Sequence, residues 1–515
     1  GSSCGTSGSN CLSAATVSQG FASDVIIQGN FTEDEVNNLV DLINSGSLPS
    51  KLTELSSQTV GASFGEDTLQ TTLIAGVIGI SLIILILLLV YRFAGFISAV
   101  SMMIYTFLVF LVFWVVGGVL TLPGIAALVL GIGMAVDSNV IMFARIKDEL
   151  YKGKSLPLAF KEGTKSSFSA ILDSNLTTLL VAIIMFIFGE SSIKGFATML
   201  IITVVVTMLT MVALTRILLK TVVKTGYFDK RTRAFINVKK EDIPDVNKNE
   251  KVKVIPFKNV NFLRYSKVFI TISLIIMVLG GILFGTRGLD YQAGSDISIE
   301  TNEKVTQKEL SKDLKTLKLD KESIEINDSD ITIRVSDVLD GKKVEKVTNY
   351  FSDKYEAKTN VGVVSNVVKQ ELVKNAILSV LVAILGIILY ISIRFRLTYA
   401  VSGVVVLMHD VLVVFSLFAL FHLEISTMFI AAILAIIGYS INATIVTFDS
   451  VREKLRDVDE RKLTKEELKE LVNESIRQMF TRTIYTSITT LVPVIALIFL
   501  GSKEILTFNF AMLFG

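Results

Sequence analysis

Histidine and cysteine are nearly missing from this chain of 515 residues, which holds two of each: His409, His422, Cys4 and Cys11. There is no G-x-x-x-x-G-K-[ST] phosphate loop and no H-E-x-x-H helix, so the sequence argues against an ATPase and against a zinc protease. Neither a cofactor nor a metal is expected, and the chain does not read as an enzyme. An excess of one charge is lacking too: 50 Lys and Arg face 48 Asp and Glu, for a formal charge of +2. That total points to no partner by itself, and no nucleic acid is expected.

The bulk of the chain is apolar. Hydrophobic residues make up 51% of it and charged residues only 19%, which marks a polytopic membrane protein. A hydrocarbon core of roughly 30 Å takes about 20 apolar residues in a helix. That template fits segments near 71–90, 94–117, 120–143, 169–189, 195–219, 266–285, 374–393, 398–421, 424–448 and 484–501, with a last run from Ile505 cut off at Gly515. Basic residues gather after alternate spans: Arg145, Lys147, Lys152 and Lys154; Arg216, Lys220 and Lys224; Arg394 and Arg396; Arg452, Lys454 and Arg456. The positive-inside rule sets these in the cytoplasm and the polar stretches 1–70 and 286–373 outside. Cys4 and Cys11 stand in a Gly/Ser-rich, tag-like start, where an external disulfide between them stays open. No signal peptide precedes them, and an external N-terminus ahead of a span at 71 implies a missing upstream anchor.

The chain repeats itself. Shifted by 305 positions, IGMAVDSNVIMFARIKDEL (132–150) falls on IGYSINATIVTFDSVREKL (437–455), matching Ile132/Ile437, Gly133/Gly438, Phe143/Phe448 and Leu150/Leu455. A slightly larger shift lays TTLLVAIIMFIFG (177–189) on TTLVPVIALIFLG (489–501). Both copies have the same membrane orientation, so this is a parallel repeat about an axis along the membrane normal, a common plan in transport machinery. Between the halves, 221–264 reads as a cytoplasmic linker, and the insert 286–373 mixes alternating and helical stretches as a small α+β domain.

Asp137 is the residue that most needs a reason, because a carboxylate at membrane depth costs several kcal/mol. Gly133, at i−4 on the same face, lets another helix approach closely. Asp137 reads either as a packing group bonded to a neighbouring helix or as a proton carrier. Asp173, at the start of the 169–189 span, is a coupling group or a cap near the cytoplasmic interface. His409 and Asp410 are adjacent in mid-helix and point about 100° apart, so they need not pair. Arg482 is either an interfacial anchor or the one arginine reaching inward to a carboxylate. Thr481, Thr483, Thr486, Ser487, Thr489 and Thr490 add a polar seam.

These motifs resemble the SecD/SecF (SecDF) family of the Sec protein-translocation machinery, within the resistance-nodulation-division superfamily. GMAVDSNVIMFARIKDEL, ILDSNLTTLL and IKGFA are similar to SecD; IIGYSINATIVTFDSVREKL, LMHDVL, RTIYTSITTL and GLDYQAGSDI are similar to SecF. The resemblance implies two parallel, pseudo-symmetric helix bundles with ferredoxin-like α+β extracytoplasmic domains. It also implies a multi-pass protein of the bacterial cytoplasmic membrane, in which a proton or sodium gradient helps pull preproteins out of the SecYEG channel, with YajC/YidC-type subunits as further partners. It lays Asp137 on the family's SecD aspartate; together with the reading of the residues this makes Asp137 and Arg482 the expected coupling pair, with Asp173 beside them and Asn139, Asn442, Asp410 and Asp449 as candidate auxiliary groups. Ala443 stands where the family motif carries a second aspartate, which puts the usual route in doubt.

The expected organisation is a start at 1–15, the remnant of a first external domain at 16–70, a SecD-like bundle at 71–220 and the linker at 221–264. A first SecF-like helix at 265–286, the external domain at 287–373 and a SecF-like bundle at 374–515 with its last helix truncated complete it. Two rivals stand beside this reading: a small-molecule or lipid exporter of the same superfamily, and a translocon scaffold without ion coupling.

Overall fold

A computed structural model describes residues 56–59, 62–189, 191–245, 257, 260–283, 294–301, 305–319, 321–327, 330–355, 357–364, 366–456, 458, 463–502 and 505–515. The tag-like start, the Cys4/Cys11 pair and most of the expected first external remnant lie outside these residues, as does part of the linker.

Among the described residues, nine helices are long and apolar enough to cross a membrane. The first half holds α1 (Ala62–Val115), α2 (Leu122–Tyr151), α3 (Leu156–Phe188) and α4 (Ser191–Thr207), which runs through a π-helical stretch, Met208–Leu214, into α5 (Thr215–Lys224). A short α6 (Thr232–Ile236) leads to α7 (Phe262–Leu283). The second half continues with α10 (Asn366–Arg394), α11 (Leu397–Leu420), α12 (Thr427–Arg456), α13 (Lys465–Leu500) and α14 (Leu506–Phe514). Two expected spans, 71–90 and 94–117, merge in α1, which ends at Val115, two residues short of the second, and is broken at Arg92 with φ 54 and ψ −122. Gly95 serves that break, because a Cβ there would collide with the Leu87 carbonyl oxygen.

The halves interlock. Helix α13 of the second half packs on α1 and α2, while α3 of the first packs on α12 and α10. Small residues set both crossings: a Cβ on Gly133 would lie 3.3 Å from Thr490 Cα, and one on Gly438 would lie 3.8 Å from Thr178 Cα. Gly133 and Gly438 are repeat mates, as are Thr178 and Thr490, so one contact is the image of the other. The described part of the linker also docks, with Phe235, Ile236 and Val238 fully buried and Phe228 against Phe93 at 4.7 Å.

The insert folds as β2 (Gly294–Glu300), α8 (Gln307–Leu317), β3 (Lys321–Asn327), β4 (Asp330–Val335), α9 (Gly341–Tyr355) and β5 (Lys358–Val364). This βαββαβ order is ferredoxin-like. A strand that sequence reasoning had not assigned, β1 (Ser56–Thr59), pairs antiparallel with β5, giving the order β1-β5-β2-β4-β3. Alternating apolar residues, Ile297, Ile299, Ile331, Ile333, Val361 and Val363, bury one sheet face against Leu310, Leu314 and Phe351. Thr306 and Glu309 form a capping box at the start of α8, which satisfies two helix-end N–H groups reciprocally. Arg334 on β4 pairs with Glu424 in the α11–α12 connection, tying the domain to the bundle.

Candidate functional site in the membrane

Asp137 is 2% exposed, at the crossing of α2 with the second half. Thr486 on α13 donates to its Oδ1 at 2.7 Å, and Asn442 on α12 donates to its Oδ2 at 3.3 Å. Both oxygens of a first-half carboxylate are therefore held by second-half side chains. Asn442 is the repeat mate of Asp137, since 442 − 137 = 305, so the bond joins equivalent positions across the pseudo-symmetry axis. A buried carboxylate without such donors would be far more costly.

Arg482 lies one turn before Thr486 on α13, 8% exposed, with electrostatic reach to Asp137, Tyr91 and Tyr439. The expected pair shares one seam without a direct salt bridge within 4.0 Å. Thr486 and Asn442 already occupy the carboxylate oxygens, and the Arg482 Nε has no hydrogen-bond partner among the described residues. Arg482 instead lines a cavity of about 170 Å³ with Tyr91, Arg145, Lys147, Asp148 and Gln478. Gln478 donates to Asp148 at 3.1 Å, and the Lys147 ammonium sits 4.6 Å above the Tyr91 ring. A smaller space of about 10 Å³, lined by Ser174, Asn175, Thr178, Thr203, Thr207 and Asn442, flanks Asn442. A polar hollow of this size fits about one water, and the larger one fits several.

Asp173 departs from its expected setting. The helix begins at Leu156, because the polar turns before residue 169 continue it, so Asp173 sits inside α3 rather than at its start. It is 7% exposed and accepts from Tyr390 at 2.9 Å and Arg394 at 3.0 Å, both on α10. It is an ion pair between the halves, not a cap.

His409 and Asp410 also correct the sequence reading. Their ring Nδ1 and carboxylate Oδ1 are 3.0 Å apart, since side-chain torsions close the gap that the Cβ directions leave, and Ser440 on α12 donates to the other oxygen of Asp410. Asn139 turns away from Asp137 and donates to Ser98 at 2.6 Å. Asp449 pairs with Arg452 at 2.5 Å. Ala443 is exposed, so its side chain is turned out of the Asp137 pocket. Sequence reasoning missed Tyr390 and Arg394 as partners of Asp173, and Lys147, Asp148 and Gln478 around the cavity. Arg394 and Lys147 stand among the basic residues that follow spans, where they resemble ordinary anchors, and no sequence signal marks Tyr390, Asp148 or Gln478.

Fold and seam together define a multi-pass membrane protein of two parallel repeats that meet through buried polar contacts and carry a ferredoxin-like domain on one side. The chain matches the family model described as protein export membrane protein SecD/SecF, C-terminal, over residues 44–225 and 343–515. It is 40% identical to the protein translocase subunit SecDF of Bacillus subtilis over 98% of this chain and 69% of that one. With the SecDF of Brucella abortus it shares 29% identity over 98% of this chain and 65% of the other. It superposes on a crystal structure of Thermus thermophilus SecDF, described as a translocon-associated membrane protein, with a TM-score of 0.80 at 29% identity, covering 95% of this chain and 65% of that one. The chain belongs to the SecD/SecF family of protein export membrane proteins, and it spans about two thirds of the length of these relatives.

Proposed function

We propose that the chain works as an accessory subunit of Sec translocation in the bacterial cytoplasmic membrane, using a proton or sodium gradient to help draw preproteins out of the SecYEG channel. Asp137 is the ion-binding carboxylate, Arg482 its counter-charge across the seam and Asp173 an accessory coupling group. One observation carries the reading: among the described residues, the hydrogen-bond donors to the Asp137 carboxylate of one half are side chains of the other half. Neutralising it weakens the Thr486 and Asn442 bonds and leaves Arg482 without its counter-charge, which loosens the seam at this crossing. Charge-assisted hydrogen bonds contribute about 1.5–3 kcal/mol each, and one charge crossing 100 mV releases about 2.3 kcal/mol. One ion per cycle is therefore enough to loosen about one such bond. The Arg334–Glu424 contact offers a mechanical link from the bundle to the external sheet.

The uncoupled scaffold remains a second reading, favoured by alanine at 443 and by the absence of a direct Asp137–Arg482 bond. Asp137→Asn separates the two. It keeps shape and removes the titratable group, so gradient-dependent export should fall roughly tenfold, within the usual range of coupling energies. Unchanged export by a folded variant would favour the scaffold.

A further inference from the structure

Helix α12 is gripped on two sides. Asn442 reaches Asp137 of the first half, and Ser440, two residues earlier and about 200° around the helix, donates to Asp410 of α11. Asp410 and its partner His409 lie in mid-helix among lipid-facing Val405, Val406, Met408 and Leu412, with side chains 27% and 42% exposed. Ionisable groups there are costly and rarely serve packing alone. The helices packed on α11 are α7, α10, α12 and α14. Their stretches 268–283, 375–393, 427–448 and 506–514 contain no Asp, Glu, Lys, Arg or His. The tyrosines among them are engaged elsewhere, Tyr390 with Asp173 and Tyr439 with Thr490. No other charge therefore faces the cluster from these helices at this depth, and its three groups answer only to one another.

We propose that His409, Asp410 and Ser440 form a second proton-binding site, in the second half, whose occupancy is read by α12 alongside that of Asp137. A proton held between His409 Nδ1 and Asp410 Oδ1 lowers the negative charge that Ser440 bonds to, so uptake and release change the α11–α12 contact. The inference rests on the ion-coupled reading for its purpose, but its test does not depend on transport.

The test uses the full chain with Asp137→Asn, reconstituted in phosphatidylethanolamine/phosphatidylglycerol vesicles, and pH-titrated infrared difference spectra. One component of the pH-dependent carboxyl and imidazole bands should be present in this background and be lost from the difference spectrum when Asp410→Asn is added. Should Asp410→Asn fail to fold, Ser440→Ala keeps the charge and should shift the midpoint by about one pH unit, a roughly tenfold change in proton affinity. Spectra unaltered by Asp410→Asn, or a midpoint unmoved by Ser440→Ala, would overturn the site. Failure of the motor reading appears separately, as export by Asp137→Asn that still follows the gradient.

Discussion

Asp137 and Asn442 occupy the same position in the two repeats, and only one is charged. The same inequality holds for Arg482, whose repeat mate under the larger shift, 482 − 312 = 170, is Ala170. A symmetric fold thus carries an asymmetric site, with acid and base confined to one of two equivalent crossings. Asp173 belongs to a different contact, where Arg394 is one-third exposed and solvent weakens the pair. Asp173→Asn should lower the stability of the α3–α10 contact by about 2 kcal/mol, seen as a lower thermal-unfolding midpoint in detergent, and reduce export less than Asp137→Asn does. Complete loss of export at unchanged stability would contradict that ranking. The sequence made Asp137 conspicuous because one carboxylate in an apolar run is rare. It hid the role of Arg394, because an arginine after a span reads as a topological anchor whether or not it reaches a carboxylate 221 positions away.

At the scale of elements, the periodic spans were readable because lipid imposes a length that water does not. Where they break was less readable: nothing in VYRFAG except Gly95 announces the reversal at Arg92, and β1 has too few apolar residues to advertise a strand. Its pairing comes from the open edge of β5, a tertiary effect. The α2–α13 crossing gives a sharper test. A Cβ at 133 would lie 3.3 Å from Thr490 Cα and 3.4 Å from the Thr489 carbonyl oxygen, so a side chain must push α13 away. Gly133→Leu should cost about 1–3 kcal/mol through overpacking and separate Thr486 from Asp137, which a cysteine cross-link between α2 and α13 would report as slower. Unchanged cross-linking would mean that the crossing yields without cost.

On the scale of the whole molecule, the external domain must hold its shape if bundle movements are to reach it through Arg334 and Glu424. Asp313 on α8 is buried and accepts from Tyr350 at 3.0 Å, from Tyr355 at 2.5 Å and from Lys354, all on α9. Burial by itself raises the Asp313 carboxyl, but these three donors outweigh it and hold the group below the usual carboxylate range. Burial likewise opposes the Lys354 charge, yet its bonds to Asp313 and Tyr355 win and raise it. A depressed carboxylate stabilises the fold above its unfolded value of about 3.9, and that contribution is lost as pH falls through the folded value. A raised lysine contributes below about 10.4 and loses its effect as pH rises through the folded value. The cluster should therefore hold α8 to α9 evenly between about pH 4 and pH 10. Asp313→Asn should remove about 2 kcal/mol and with it the extra acid sensitivity, read by hydrogen exchange in α8 and α9. Equal acid sensitivity in parent and variant would contradict the assignment.

If an ion on Asp137 governs how the halves meet, the protein must take up protons through that residue. The most direct measurement is proton uptake by vesicles containing the full protein, with an imposed pH gradient, comparing the parent with Asp137→Asn at matched protein content. Gradient-driven uptake is expected in the parent and only background uptake in the variant. Equal uptake by both, in protein shown to be folded, would contradict that role of Asp137.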